Sequence, residues 1–272
     1  MIIKNFLLGL LVLFCLAYIL ANRCRKGHPG MESLRGHSYA HRGLHSPGIP
    51  ENSMAAFRAA LEKGYGIELD VHLLKDGNLA VIHDSKLLRT TGQEGKVEDL
   101  TTEDLASYYL EGTQETIPTF RQVLDLYQGK APLIVELKPE GRNHAALAKA
   151  ACDLLADYTG PYCIESFDPR CIHWLRKNQP EIIRGQLTEN FFRSTTKLPW
   201  HLAFLMTHNL MNVWTRPDFV AYKFADRKCT PTNWLWKTFF RVQAVTWTLR
   251  TKEDFDIACK EGWLPIFEYF IP

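Results

Sequence analysis

From Ser38 onward, short apolar runs of strand length alternate with longer amphipathic stretches, and this alternation restricts the fold more than any other feature. The strand candidates are Tyr39–Gly43, Gly66–Leu74, Leu79–Asp84, Pro132–Lys138, Tyr162–Phe167, Ile182–Leu187, Asp218–Phe224, Gln243–Leu249 and Leu264–Tyr269. The helix candidates between them are Ser53–Lys63, Thr102–Tyr108, Thr119–Tyr127, Asn143–Tyr158, Pro169–Asn178 and Lys252–Glu261. Such alternation predicts parallel strands joined by right-handed crossovers. One strand is surplus to an eightfold barrel, and Lys75-Asp76-Gly77-Asn78 accounts for it, because Asp-Gly favours a two-residue hairpin loop. The expected fold is therefore an α/β (β/α)8 TIM barrel with one extra antiparallel hairpin strand. With Asp76 and Gly77 as the loop, Lys75 pairs with Asn78 and Asp70 falls opposite His83.

The 272 residues, 46% of them apolar, suit one large domain over residues 38–272. Thirty-two Lys and Arg against 30 Asp and Glu leave no basic stripe of the kind that binds nucleic acid. Seven cysteines without CxxC spacing read as scattered thiols.

The N-terminus differs in kind. Phe6 to Ala21 is a run of sixteen apolar residues, with Lys4 before it and Arg23, Arg25 and Lys26 after it. Residues 1–22 are expected to form a transmembrane anchor and residues 23–37 a polar juxtamembrane linker. The excess positive charge after the span favours a single-pass protein with its catalytic domain in the cytoplasm. A cleaved signal peptide is the competing reading, although Ile19-Leu20-Ala21 is a poor cleavage site.

The residues able to do chemistry cluster on the strands. Glu68 and Asp70 share one face of Ile67–Val71, and Glu136 and Lys138 share one face of another apolar run. Buried carboxylates need a cation or a donor, and a hard divalent ion with oxygen ligands meets that need; an exposed polar strand face or a structural Glu-Lys pair is the plainer alternative. His41 ends the first strand beside Arg42, which offers a planar fork suited to phosphate. Asn52 or Ser53 is suited to cap the following helix. No nucleophile elbow, P-loop, zinc-protease motif or dinucleotide fingerprint is present.

Taken in order, His41-Arg42-Gly43, Pro50-Glu51-Asn52-Ser53 with Ala56-Phe57, Glu68-Leu69-Asp70-Val71, Lys75-Asp76-Gly77, His83-Asp84, Glu136-Leu137-Lys138-Pro139, Ser166-Phe167 and Trp247-Thr248 make the chain resemble the glycerophosphodiester phosphodiesterase family. The resemblance spans residues 38 to 272. It implies hydrolysis of glycerophosphodiesters to glycerol 3-phosphate and an alcohol. It implies Glu68, Asp70 and Glu136 as ligands of one divalent cation, Mg2+ or Ca2+, and His41 and His83 as the acid-base pair. It further implies Arg42 and Lys138 as phosphate contacts and Trp247 as an aromatic wall. Three features depart from the family pattern, the first being Ser53 where the family usually has Thr. The C-terminal segment Pro265–Pro272 lacks the usual Gly-Ile-Ile-Thr-Asp-x-Pro, where Glu268 is expected to take the polar role, and Lys223 adds a cation near the pocket. The apolar, aromatic stretch from Phe191 to Trp214 suggests a lid or membrane-facing surface, or ordinary barrel-helix packing. Two other functions compete: a related barrel phospholipase acting on lysophospholipid or phosphatidylinositol, and a catalytically silent membrane scaffold.

Overall fold

The computed structural model describes residues 2–272. The apolar runs form nine strands: β1 (Tyr39–His41), β2 (Gly66–Leu73), β3 (Leu79–Val81), β4 (Leu133–Leu137), β5 (Tyr162–Ser166), β6 (Arg184–Thr188), β7 (Phe219–Lys223), β8 (Gln243–Leu249) and β9 (Trp263–Phe267). Eight of them are parallel, and β1 closes the barrel by pairing with both β2 and β9, while β3 lies antiparallel on β2. This is the expected (β/α)8 barrel with one extra strand.

Side chains alternate across each strand, and this sorts the residues into layers. Ile67, Leu69 and Val71 of β2 and Leu133, Val135 and Leu137 of β4 face outward into the main core with Phe57, Phe120 and Leu147. Tyr39, Ile134, Cys163, Phe219 and Ile266 make an apolar cluster with Met31 and Leu34. Tyr39 opens β1, so this cluster floors the barrel at the N-terminal ends of the strands. Along the same strand faces, two residues on, stand His41, Glu136 and Glu165. The barrel interior is thus apolar at its base and ionisable at its C-terminal end, where barrel active sites lie.

Four sequence expectations need revision. The hairpin loop has three residues, not two. Leu74 donates to the Asn78 carbonyl at 2.8 Å, and Gly77 adopts φ +87°, which a glycine tolerates after a type I turn. The register therefore shifts by one, with Val71 opposite Val81, and the Ile82 amide bonds the Asp70 carbonyl at 3.1 Å, so His83 is not the partner of Asp70. Thr102–Tyr108 forms only a 3-10 turn over Asp104–Ser107. Phe191–Trp214 contains a helix, Trp200–Thr207, that the strand-helix pattern missed. Residues 23–37 do not hang free as a linker: Arg25 pairs with Asp218, and the turn Pro29–Leu34 buries Met31 and Leu34 in the barrel floor.

Helix α1 (Ile2–Ala21) is long and apolar enough to cross a membrane. Its last turn touches the barrel through Tyr18, Ile19 and the Leu20 carbonyl, which accepts from Arg216 Nη1 at 3.2 Å. The seven cysteines are all free.

Small and large residues interlock inside the barrel. Gly185 pairs with Phe219, and a Cβ on Gly185 would stand 2.1 Å from the Phe219 ring. Gly185→Ala is expected to destabilise the fold by about 1–3 kcal/mol through overpacking, read as a lower Tm in thermal denaturation.

Candidate active site

Strand register brings the ionisable residues together. His41 pairs with Glu68, Asp70 with Glu136, and Glu136 with Glu165, so β1, β2, β4 and β5 each deliver a carboxylate or imidazole to the same end of the barrel. Oxygens of Glu68, Asp70 and Glu136 lie within 4.8 Å of one another, and all three residues are buried. Hard oxygen donors at this spacing fit a divalent cation. The surroundings agree: Asn52 donates to Asp70 Oδ2 at 2.9 Å, and its own buried Oδ1 has no hydrogen-bond donor. Glu165 Oε2 is likewise buried without a donor.

The charges are unevenly compensated. Lys138 Nζ lies 2.8 Å from Glu136 Oε1 and 3.2 Å from Asp70 Oδ1, and Arg42 Nε lies 3.5 Å from Asp70 Oδ2. Burial opposes ionisation of Asp70, but Lys138, His83 and Arg42 outweigh it and hold its pKa well below the usual range. Glu68 has less help, from Arg42 alone among the cations. Burial, then the charges of Asp70 and Glu136, push its pKa well up. Burial also raises Glu136, partly offset by Lys138, and burial with the Glu136 charge raises Glu165 well above normal. An added positive charge at this point would relieve all of these carboxylates at once.

Each predicted catalytic histidine is anchored through Nδ1. His41 Nδ1 is 2.8 Å from Glu268 Oε1, and His41 Nε2 is 3.8 Å from Glu68 Oε2. Glu268 also accepts from Arg250 Nε at 2.7 Å and faces His45 Nε2 at 3.3 Å. Burial opposes its ionisation, but the bonds from His41 and His45 hold its pKa far below normal, so it is an acceptor and His41 Nδ1 carries the proton. Burial lowers the pKa of His41, which favours a neutral ring with a free Nε2. His83 Nδ1 is 2.7 Å from Asp84 Oδ1, and Arg89 binds Asp84 in turn. His83 reaches the site although its strand partner is not Asp70: with His41, Arg42, Glu68, Glu136 and Glu165 it lines a cavity of about 130 Å³. It also lines an adjoining groove of about 730 Å³ that runs past Asp84, Lys138 and Phe167.

Local backbone explains the His41-Arg42-Gly43 motif. Arg42 adopts φ 55° and turns its amide onto Glu68 Oε2 at 3.2 Å. Gly43 follows at φ +79°, where a Cβ would stand 2.8 Å from that of Ala56. Asn52, at φ 54°, donates its amide to the Arg42 carbonyl at 2.9 Å. Ser53, not Asn52, caps the helix Met54–Glu62, accepting from Ala56 at 3.1 Å. Arg42 Nη1 is fixed by Glu51 at 2.9 Å. Trp247 lines the cavity with its ring 5.4 Å from that of Phe167, and Lys223 Nζ is 5.9 Å from the Trp247 ring centre.

Sequence reasoning assigned no role to Glu51, Asp84, Arg89 or Glu165, and gave Asn52 only a possible helix-capping role. Glu165 had a signal: Cys163-Ile164-Glu165 repeats the buried-strand carboxylate pattern of Ile67-Glu68 and Val135-Glu136. Arg89 had none, since it arrives from a short helix beyond the hairpin.

Lys138 is the main counter-charge for Asp70 and Glu136. Lys138→Met, measured in EDTA, is expected to lose about 3–5 kcal/mol of stability because it strands buried charge. Thermal or urea unfolding reads this loss, and an unchanged midpoint would refute it.

Known proteins bear on this geometry. A glycerophosphodiester phosphodiesterase of Bacillus altitudinis is 46% identical over 107 residues, covering 37% of this chain and 43% of that protein. One from Caldanaerobacter subterraneus is 34% identical over 177 residues, covering 61% of this chain and 71% of that protein. The match to the first therefore spans less than half of that relative's length. Among solved structures, an Oleispira antarctica phosphodiesterase in complex with sn-glycerol-3-phosphate gives a TM-score of 0.72 at 21% identity, covering 90% of this chain and 95% of that one. A Thermotoga maritima glycerophosphodiester phosphodiesterase gives 0.66 at 23% identity, covering 85% and 93%. Both structures share this barrel fold. The sequence model of the glycerophosphoryl diester phosphodiesterase family matches residues 41–267, most of the chain. The chain belongs to that family.

Proposed function

We propose that this protein hydrolyses glycerophosphodiesters to glycerol 3-phosphate and an alcohol. The observation that carries the reading is one small cavity lined by two histidines, the carboxylates Glu68 and Glu136, and the cations Arg42 and Lys138. Glu68, Asp70 and Glu136 would hold a divalent cation, which when bound neutralises phosphate charge and polarises the diester.

The chain's own residues divide the remaining work. Arg42, braced by Glu51, and Lys138, braced by Glu136, form an electrostatic clamp for the non-bridging phosphate oxygens. His41, neutral and held through Nδ1 by Glu268, presents Nε2 as the base that takes a proton from the nucleophile, which is water or the neighbouring glycerol hydroxyl; in the second case water then opens the cyclic phosphate to glycerol 3-phosphate. His83, held through Nδ1 by Asp84, is the acid that protonates the leaving alkoxide. Phe167 and Trp247 form an apolar wall that limits water on one side of the phosphate. Helix α1 would hold the enzyme at a membrane, with the barrel on the cytoplasmic side because the cluster Arg23, Arg25 and Lys26 follows the span.

Release of glycerol 3-phosphate from glycerophosphocholine tests the reading. His41→Ala and His83→Ala are each expected to lower kcat/KM by about 10²–10⁴-fold. Activity is expected to vanish in EDTA and to return with Mg2+ or Ca2+. Full activity in chelator, or in either variant, would overturn the proposal.

A further inference from the structure

The helix Trp200–Thr207 inverts the usual pattern of a surface helix. Its buried positions are the small residues Ala203 and Thr207, whereas Trp200, Leu202 and Phe204 face outward, Trp200 at 75% exposure. An apolar outer face of this kind marks a surface that something covers.

Its place in the barrel is fixed by two bonds. Thr188, which ends β6, donates to the Met206 carbonyl at 2.8 Å, and Phe191 donates to Thr207 Oγ1 at 2.9 Å. The helix therefore packs at the C-terminal end of the barrel, the end that carries the site. Phe191 also meets Phe167, a wall of the cavity, at 6.3 Å between ring centres.

Helix α1 points past the same end. Tyr18 Oη bonds Thr232 Oγ1 at 2.7 Å, and Thr232 follows the C-terminal end of β7. Further along, Asn212 donates to the Asn22 carbonyl at 3.5 Å, and Arg25 donates to the carbonyl of Pro217, just before β7 begins, at 2.9 Å. Between Tyr18 and Arg25 the chain thus descends from the C-terminal to the N-terminal end of β7. The turns of α1 that precede Tyr18 project the other way, about 20 Å beyond the site-bearing end at 1.5 Å per residue.

The two apolar surfaces are continuous. Ring contacts run from Phe14 to Tyr18 at 6.4 Å, to His208 at 6.3 Å and to Phe204 at 4.5 Å. Arg193 and Lys197, both exposed, stand in the segment that leads into the helix Trp200–Thr207. Aromatic and basic side chains close together in one segment suit the headgroup region of a bilayer.

We propose that a lipid bilayer covers this face. Helix α1 inserts in it, the helix Trp200–Thr207 rests in its interface, and the barrel mouth opens onto the membrane surface. The site then takes monoacyl glycerophosphodiesters, the lysophospholipids, directly from that surface. The substrate half of this proposal rests on the phosphodiesterase reading above, whereas the placement half does not.

Two measurements separate them. The full-length protein is reconstituted into phosphatidylcholine–phosphatidylglycerol vesicles that carry a phospholipid with a photoactivatable diazirine near the carbonyl end of its acyl chain. Adducts are expected on α1 and on Trp200–Thr207, and none on Pro29–Leu34 at the opposite end of the barrel. Adducts on α1 alone, or on Pro29–Leu34, would overturn the placement. The Trp200→Ser/Phe204→Ser double variant is then expected to keep turnover of dissolved glycerophosphocholine while losing about tenfold or more on lysophosphatidylcholine held in those vesicles. Equal losses on both substrates, or no loss on the lysolipid, would overturn the substrate half. If the unsubstituted protein turned over neither substrate, the phosphodiesterase reading and the substrate half would both fail, and the adducts would still decide the placement.

Discussion

The ion pairs of Lys138 with Asp70 and Glu136, at 3.2 and 2.8 Å, hold together a site that would otherwise repel itself. Strand register places Glu68, Asp70, Glu136 and Glu165 on neighbouring strands of a closed barrel, where no side chain can swing out into water. Burying carboxylates this closely is unfavourable unless cations answer them. Lys138 and Arg42 answer Asp70 most fully, and Glu68 and Glu165 least, which is why burial drives the pKa values of the latter two upward. The arrangement is short of positive charge by design of the strand register, and a divalent cation is the charge that fits it.

The barrel protects this arrangement from below. Tyr39, Ile134, Cys163 and Phe219 with Met31 and Leu34 close the floor, so the carboxylates are approached from the C-terminal end. The histidines are set from the sides, His41 by Glu268 from the end of the last strand and His83 by Asp84 beyond the hairpin. Both supports act through Nδ1 and leave Nε2 for chemistry. Helix α1 and the helix Trp200–Thr207 then give that same end an apolar collar, which would link the proposed site of the chemistry to where the protein would sit.

Much of this was legible in the sequence, for a definite reason. Strand alternation and the placing of Glu68, Asp70 and Glu136 depend on period-2 geometry, which local sequence carries directly. The hairpin shows where that reasoning stops. Asp76-Gly77 fits both a two-residue and a three-residue loop, and the difference moved His83 out of register with Asp70. His83 still reached the cavity, because the chain turns inward after β3 rather than continuing the ladder. Glu165, Arg89 and the anchoring geometry of Glu268 depend on which strands and loops become neighbours around the barrel, and that is a tertiary property. The stretch Phe191–Trp214 stood out as apolar, but the bounds of the helix Trp200–Thr207 within it were not legible because its apolar residues face outward, against the pattern by which helices are read.

The central claim is that Glu68, Asp70 and Glu136 act as one cation site. Titration calorimetry of the chelator-stripped protein with Mg2+ and with Ca2+ tests it most directly. One cation is expected to bind per chain, and binding is expected to disappear in Asp70→Asn and in Glu136→Gln. Binding that survives both substitutions, or no binding by the unsubstituted protein, would contradict it.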